Sequence, residues 1–269
     1  MIITGFEHGI GFIAVRINIT KLDGTSSIGS GFLFNALLND GSGRFITLLV
    51  SNKHVFGDPK GTLNILVNKI KDDGEPDFGN IEPFFQVDFS GIFFPHPEGE
   101  VDLACVNVSS ITHKQIFYRN LDSTFLTPID EGEIFLGMDV LFVGYPDNRF
   151  DQVHNLPIVR KGSIASFPSV DFNGKSELVI DAQVFQGSSG SPVFVQIKGR
   201  YRLLGVVSET MIRHSKLQTL PTSHHDMGIQ QIIGLGIVIK QSRIIELIDY
   251  ATQEFLANEH AATNGVAPA

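Results

Sequence analysis

The apolar residues of this 269-residue chain recur in short runs that are separated by turn-forming residues. The runs are rich in Val, Ile, Leu and Phe and alternate with polar residues, as in GFIAVRINIT and SELVIDAQV, which is typical of β-strands. Separators such as NDGSGR and DFNGKS combine Gly, Asn and Asp, which tolerate the backbone angles of tight turns. Many short strands joined by tight turns predict an all-β barrel or sandwich.

One segment near the end follows a helical period instead. From about residue 242 the apolar side chains recur at spacings of three and four, which places them on one face of a helix. We predict a helix over residues 241–258 that packs on the β body. The apolar positions are Ile244, Ile245, Leu247, Ile248, Ala251, Phe255 and Leu256.

The rest of the chain divides into two β halves. The segment from Ser109 to Pro128 lacks a strong β pattern and lies near the middle, so it is the candidate connector. The predicted units are an N-terminal β domain over residues 1–120 and a C-terminal β domain over residues 121–240. Residues 259–269 show no periodicity and are predicted to form a flexible tail.

Composition and charge narrow the classes of function. The net charge is −9, and Lys and Arg form no cluster, which argues against a nucleic-acid partner. No run of 18 apolar residues occurs and the N-terminus does not read as a secretory signal, so no membrane partner is expected. A single cysteine, Cys105, cannot form an internal disulfide and favours a reducing compartment. We therefore expect a cytoplasmic protein.

The stretch QGSSGSPVF is either a flexible turn or a bend that presents a nucleophilic serine, Ser189. Such a serine needs a base, a carboxylate that orients the base, and donors for an oxyanion. His54 follows an apolar strand in LLVSNKHVFG, and Asp102 begins another in GEVDLACVNV. Gly187 and Gly190 give the turn backbone freedom. We predict His54, Asp102 and Ser189 as catalytic residues and the Gly187 and Ser189 N–H groups as the oxyanion hole.

With these residues in the order His, Asp, Ser, the chain resembles the trypsin-like (chymotrypsin-fold) serine peptidases, especially their bacterial HtrA-like and glutamyl-endopeptidase-like members. The resemblance rests on the contexts GSGFLF, SNKHV, VDLACVNV, GSSGSPVF and LLGVVS. It implies two six-stranded antiparallel β-barrels with the active site between them, with His54 and Asp102 from the first barrel and Ser189 from the second. It also implies hydrolysis of a polypeptide substrate through an acyl-enzyme, with neither cofactor nor metal.

The resemblance also implies where the substrate binds. Ser208 would support the aspartate, and residues 208–210 would pair through their main chain with an extended substrate strand. The expected pocket has no Asp at its base, which favours a small or medium apolar residue before the cleaved bond. The expected substrate-binding residues are Gln183, Val184, Ser208, Glu209 and Thr210.

Two positions and the segment after Ile248 depart from the patterns of the related branches. Digestive-type members pair a freed N-terminal amine with an Asp immediately before the nucleophile, but this chain has Ser188 there, so activation by N-terminal cleavage is not expected. Glutamyl specialists carry a His where this chain has Val207. HtrA-type proteins append PDZ domains, and the segment after Ile248 is too short for one.

Two alternatives remain open from the sequence. The first is a peptide-binding pseudoprotease with the same cleft, because a fold does not guarantee a function. The second is a latent protease whose loops, with the surface loop predicted over residues 211–234 as the candidate, become ordered when an activating protein partner or substrate binds. That loop contains His214, His224, His225 and Asp226, but their spacing fits no zinc pattern, so we predict no metal site.

Overall fold

The computed structural model describes residues 5–127, 129, 132–216 and 228–263, and most of them lie in β-strands. The strands are β1 (Ala14–Thr20), β2 (Ser26–Leu37), β3 (Phe45–Ser51), β4 (Thr62–Ile70), β5 (Pro76–Val87), β6 (Phe93–Pro95), β7 (Ala104–Asn107), β8 (Ile116–Phe117), β9 (Asp139–Gly144), β10 (Ile158–Ile164), β11 (Glu177–Asp181), β12 (Pro192–Ile197), β13 (Arg200–Lys216) and β14 (Gly228–Lys240). The α-helices are α1 (Gly5–Gly9), α2 (Lys53–Phe56) and α3 (Gln241–Thr263). The 3-10 helices cover Ile10–Phe12, Ser90–Ile92, Ser109–His113 and Pro146–Asn148.

Strands β1 to β8 form one antiparallel eight-stranded sheet, in the order β5-β4-β1-β2-β3-β7-β6 with β8 paired to β4. Its two edge strands, β5 and β6, do not pair with each other in the described residues, so the sheet is open. The prediction of a closed six-stranded first barrel is therefore wrong. Strand β6 has only three residues and ends at Pro95, and the chain before it is a 3-10 helix, which leaves little main chain for a closing ladder.

Strands β9 to β14 form a closed antiparallel barrel, in the order β10-β11-β14-β13-β12-β9, which confirms the prediction of a six-stranded second barrel. The surface loop predicted over residues 211–234 is wrong at both ends, because β13 continues to Lys216 and β14 begins at Gly228. The β-branched residues of GIQQIIG favour this extension. Residues 217–227, with His224, His225 and Asp226, lie outside the described residues.

Three clusters of buried side chains hold these layers together. One lies against the first sheet, one fills the barrel, and the third is shared between the sheet, the barrel and α3. On β2, Phe32 and Phe34 enter the shared cluster while Leu33 enters the first, because neighbouring side chains of a strand point to opposite faces. Burial on both faces explains why GFLF reads as a continuous apolar run.

Helix α3 begins at Gln241 and packs its apolar face into the shared cluster, which confirms the predicted helix. It continues to Thr263, so residues 259–263 of the predicted flexible tail are helical. Good helix formers in ANEHAA favour the extra turn, and an ion pair of Arg44 with Glu259, 2.7 Å long, ties it to the first sheet. None of the described helices is both long and apolar enough to cross a lipid bilayer.

Candidate active site

His54 lies in the one-turn helix α2, which follows β3 directly. Asn52, the residue immediately before α2, is extended and fully buried, and its side-chain Nδ2 donates to the main-chain oxygen of Asp102 at 2.8 Å. The turn therefore fixes the segment that carries Asp102 against the segment that carries His54.

Two contacts join His54 to Asp102. The imidazole Nδ1 lies 2.5 Å from Asp102 Oδ2, and the main-chain N–H of His54 donates to Oδ1 at 3.0 Å. The hydroxyl of Ser208 reaches Oδ2 at 3.5 Å. A carboxylate on Nδ1 favours the tautomer that carries its proton there, which leaves Nε2 as the acceptor nitrogen of the ring.

Ser189 is half-buried in the connection between β11 and β12. Its hydroxyl donates to the main-chain oxygen of Ser208 at 2.9 Å, and no hydrogen bond joins it to His54 within the described residues. Ser208 thus contacts two of the three predicted catalytic residues, Asp102 through its side chain and Ser189 through its carbonyl. The structure brings His54 onto Asp102, whereas Ser189 is linked to them through Ser208.

The Gln183–Ser189 loop presents two amides. The carbonyl of Gln186 accepts the N–H of Asp147 at 2.5 Å, and the carbonyl of Ser188 accepts the N–H of Ser191 at 2.9 Å. In a trans peptide the C=O and N–H groups point in opposite directions, so the N–H groups of Gly187 and Ser189 point away from those partners. Neither amide donates a hydrogen bond among the described residues. Both N–H groups are therefore available to donate hydrogen bonds to an anionic oxygen.

Glycine is required at both ends of the turn. Gly187 has φ +81°, and a Cβ there would lie 2.6 Å from the carbonyl oxygen of Tyr145. Gly190 has φ +86°, and a Cβ there would collide with main-chain and side-chain atoms of Ser30 and Ser51. A side chain at either position would meet both a strained backbone and a fixed neighbour.

The predicted substrate-binding residues surround this loop. Val184 is buried, and its carbonyl accepts the Thr210 hydroxyl at 3.0 Å. The ladder between β12 and β13 ends at Val206, while β14 continues to pair along the other edge of β13. Among the described residues, the edge of β13 from Ser208 onward is therefore without a strand partner. Gln183 and Glu209 have exposed side chains.

Acidic side chains share a cleft with Asp102. A cleft of about 200 Å³ is lined by Asp102, Glu177 and Arg243, among others. Burial is the main cause that raises the pKa of the Glu177 carboxyl; the charge of Lys175 lowers it by less, and the negative charges of Glu209 and Asp102 add still smaller increases. In the described part of the chain, no three His, Cys, Asp or Glu side chains are grouped to hold a metal ion.

Sequence reasoning missed two residues that contact the Gln183–Ser189 loop. Arg160, on β10, donates from Nη2 to the Ser188 hydroxyl at 2.7 Å. Ser30, on β2, donates from its hydroxyl to the Gly187 carbonyl at 2.8 Å. These partners lie 28 and 157 positions apart in the chain, so no local pattern could have indicated either contact.

Comparison with known proteins gives a family and a fold. The sequence profile of the trypsin-like peptidase domain matches residues 29–206, which include His54, Asp102 and Ser189. A search of curated protein sequences finds no significant match. Because the profile covers more than half of the chain, it confirms the resemblance to trypsin-like peptidases.

Two solved structures of the HtrA type share the fold at low identity. Two structures of the HtrA-type protease AlgW with a tripeptide match at 16% and 15% identity, with TM-scores of 0.51 and 0.53, and cover 89% and 91% of this chain. A serine endoprotease from Yersinia pestis matches at 16% identity and a TM-score of 0.49, over 91% of this chain. This chain spans 60%, 61% and 64% of those proteins, respectively. On the evidence of the profile, the chain belongs to the trypsin-like peptidase domain family.

Proposed function

We propose that the protein is a serine endopeptidase in which Ser189 is the nucleophile, His54 the general base and Asp102 the residue that orients the base. The observation that carries the proposal is the double contact of Asp102 with the Nδ1 and the main-chain N–H of His54. An imidazole held in this way presents Nε2 as a proton acceptor, which is the role that a serine nucleophile requires.

In the first half of the reaction, the Ser189 hydroxyl rotates from the Ser208 carbonyl towards His54. This is a rotation about one side-chain bond, which is fast for an accessible serine. Ser189 Oγ then attacks the peptide carbonyl carbon while its proton passes to His54 Nε2. The developing oxyanion accepts hydrogen bonds from the N–H groups of Gly187 and Ser189, which are available because neither has another acceptor among the described residues.

In the second half, the tetrahedral intermediate collapses and the carbon–nitrogen bond breaks. The leaving amine takes the proton from His54, which leaves an ester on Ser189. Water then attacks the ester carbonyl and gives a proton to His54, and the acid product leaves as the proton returns to Ser189 Oγ. The steps balance with water as the only co-reactant.

The proposed substrate is an extended polypeptide segment. The edge of β13 from Ser208 to Thr210 offers main-chain groups to an added strand, as in other peptide-binding sheets. The buried Val184 beside this edge favours an apolar residue before the cleaved bond. Profiling with a peptide library tests this preference, and selective cleavage after Lys, Arg or Glu would contradict it.

The proposal is tested by labelling the purified chain with a fluorophosphonate and locating the adduct by intact and peptide mass spectrometry. We expect the parent to be labelled at Ser189 and the Ser189→Ala variant to remain folded, unlabelled and inactive. Ser191→Ala is the matched control, because that neighbouring hydroxyl is buried and has no hydrogen-bond partner among the described residues. This control should be labelled like the parent.

Two results would contradict the proposal. One is turnover by Ser189→Ala at the parental rate, which would assign the chemistry elsewhere. The other is a folded parent that is neither labelled nor active, which would favour the peptide-binding pseudoprotease or a latent enzyme that needs a partner. Repeating the labelling in the presence of cell extract would then separate these two.

A further inference from the structure

Arg160 connects the two ends of the Gln183–Ser189 loop. It projects from β10, and its Nη1 donates to the carbonyl of Gln183 at the start of the loop. Its Nη2 donates to the hydroxyl of Ser188, next to the proposed nucleophile, at 2.7 Å. One planar guanidinium thus holds a main-chain oxygen and a side-chain oxygen at opposite ends of the loop.

The surroundings of Arg160 favour a rigid side chain. Its Cζ lies over the ring of Phe142 at 4.4 Å from the ring centre and over that of Phe185 at 5.6 Å, so the guanidinium packs on two aromatic rings. Burial lowers the pKa of Arg160 to about 10, which still leaves the group charged at neutral pH. Within the described residues no carboxylate pairs with Arg160. Its guanidinium instead donates to two uncharged oxygens of the loop, the Gln183 carbonyl and the Ser188 hydroxyl.

The contact with Ser188 constrains the turn that carries the two amides. Ser188 is fully buried, and its N–H donates to the carbonyl of Phe185 at 3.0 Å. Its hydroxyl accepts the N–H of Phe185 at 3.4 Å as well as the guanidinium of Arg160. Since Gly187 lies inside this turn and Ser189 follows it, the orientation of Ser188 affects the direction of both amides.

We propose that Arg160 is a positioning residue, whose guanidinium holds the Gln183–Ser189 loop in the conformation that binds the oxyanion. The inference rests on the proposed function, because it assigns a role within the same site. Arg160 does not contact the nucleophile and acts through Ser188 and Gln183. Without it, the loop populates other conformations, and activity falls in proportion to the lost fraction of competent molecules.

The test compares Arg160→Met, Arg160→Lys and Ser188→Ala in the full chain. Met keeps the apolar packing on the rings of Phe142 and Phe185 but has no hydrogen-bond donor. Lys keeps the charge but cannot bridge the Gln183 carbonyl and the Ser188 hydroxyl. The readout is the second-order rate of fluorophosphonate labelling, since the probe places an oxygen in the oxyanion hole. We expect Arg160→Met to lower this rate by about 10²-fold, the effect of losing one oxyanion donor, and Arg160→Lys to lower it less.

Additional readouts separate positioning from a general loss of stability. For the best peptide substrate, kcat should fall in Arg160→Met while KM changes little, and affinity for a peptide boronate should fall more than affinity for a product peptide. Adding Ser188→Ala to Arg160→Met should cause little loss beyond that of Arg160→Met alone, because both changes remove the hydrogen bond between Arg160 and Ser188. Lys161→Met is the matched control, as that residue is exposed on the same strand and should label like the parent.

The outcomes are distinguishable. A folded parent that is not labelled defeats the proposed function itself. An active parent together with Arg160→Met and Ser188→Ala variants that label at the parental rate overturns the role of Arg160 alone. If Arg160→Met does not fold, as judged by circular dichroism and thermal melting, then Ser188→Ala decides: a reduced rate supports positioning and a parental rate refutes it.

Discussion

The carboxylates of Asp102 and Glu177, which line one cleft, have contrasting environments. Asp102 uses both oxygens to contact His54 and adds a longer contact to Ser208. Glu177, at the start of β11, is half-buried, and this burial is the main cause that raises its carboxyl pKa, with smaller increases from the charges of Glu209 and Asp102. In such a group the native state binds the proton more tightly than the unfolded chain does. The charged form of Glu177 therefore opposes folding.

The raised pKa of Glu177 predicts that the Glu177→Gln variant is more stable than the parent, by an amount that grows with pH. The unfolding free energy falls as pH rises from the unfolded pKa, about 4.3, through the raised folded value. The Gln side chain cannot ionise, so the variant does not lose unfolding free energy in this way. Its melting temperature should exceed that of the parent at pH 8 and approach it at pH 4. Thermal melts across this range give the measurement. A gain of equal size at both pH values would show that charge is not the cause.

The catalytic candidates could be predicted because each stands in a local pattern. The glycines of GSSGS favour a turn with positive φ, and His54 and Asp102 stand where an apolar strand ends or begins. The direction of the Ser189 hydroxyl could not be predicted, since its acceptor is a carbonyl on another strand. Arg160 could not be assigned either, because an isolated Arg in a strand usually faces solvent.

Among the elements, α3 has the clearest structural role. Its apolar face enters the cluster shared by the sheet and the barrel, with Ile244, Leu247 and Ala251 fully buried. The helical period in the sequence predicted this face. The final turn to Thr263 was not predicted. It is held by an ion pair between Glu259 and Arg44, the residue just before β3, and these partners are far apart in the chain.

Truncation of Leu247 tests this packing. We expect Leu247→Ala to lower the unfolding free energy by about 2–5 kcal/mol, since it leaves a cavity where three layers meet. The labelling rate of the folded variant should not change, because no hydrogen bond joins α3 to the Gln183–Ser189 loop in the described residues. Gln253→Ala, an exposed position on the same helix, is the control and should be nearly neutral. A small effect of Leu247→Ala in denaturant unfolding would contradict the packing.

The two β layers meet at Ser30, which belongs to the first sheet but contacts the loop before β12. Its N–H donates to the carbonyl of Ser189 at 2.9 Å, and its hydroxyl donates to the carbonyl of Gly187 at 2.8 Å. The same hydroxyl accepts the N–H of Tyr145 at 2.9 Å. The first sheet thus supports the loop directly, as well as supplying His54 and Asp102 to the site.

Removing this connection should affect both stability and activity. Ser30→Ala leaves the buried N–H of Tyr145 and the carbonyl of Gly187 without their partner, which costs about 1–3 kcal/mol. Labelling by fluorophosphonate should slow at the same time, because the loop loses one support. Ser26→Ala, exposed on the same strand, should change neither quantity. Loss of stability with an unchanged labelling rate would show that the Ser30 hydroxyl does not position the loop.

Local sequence was sufficient for the β class, most strands, the C-terminal helix and the turn around Ser189, because periodicity and turn chemistry act between near neighbours. The three-dimensional fold was needed to show that the second sheet closes while the first stays open, and that β13 and β14 extend past the predicted loop. The same holds for the contacts of Arg160 and Ser30 with the loop. These features depend on hydrogen bonds between residues far apart in the chain, whose partners are chosen by how the layers pack.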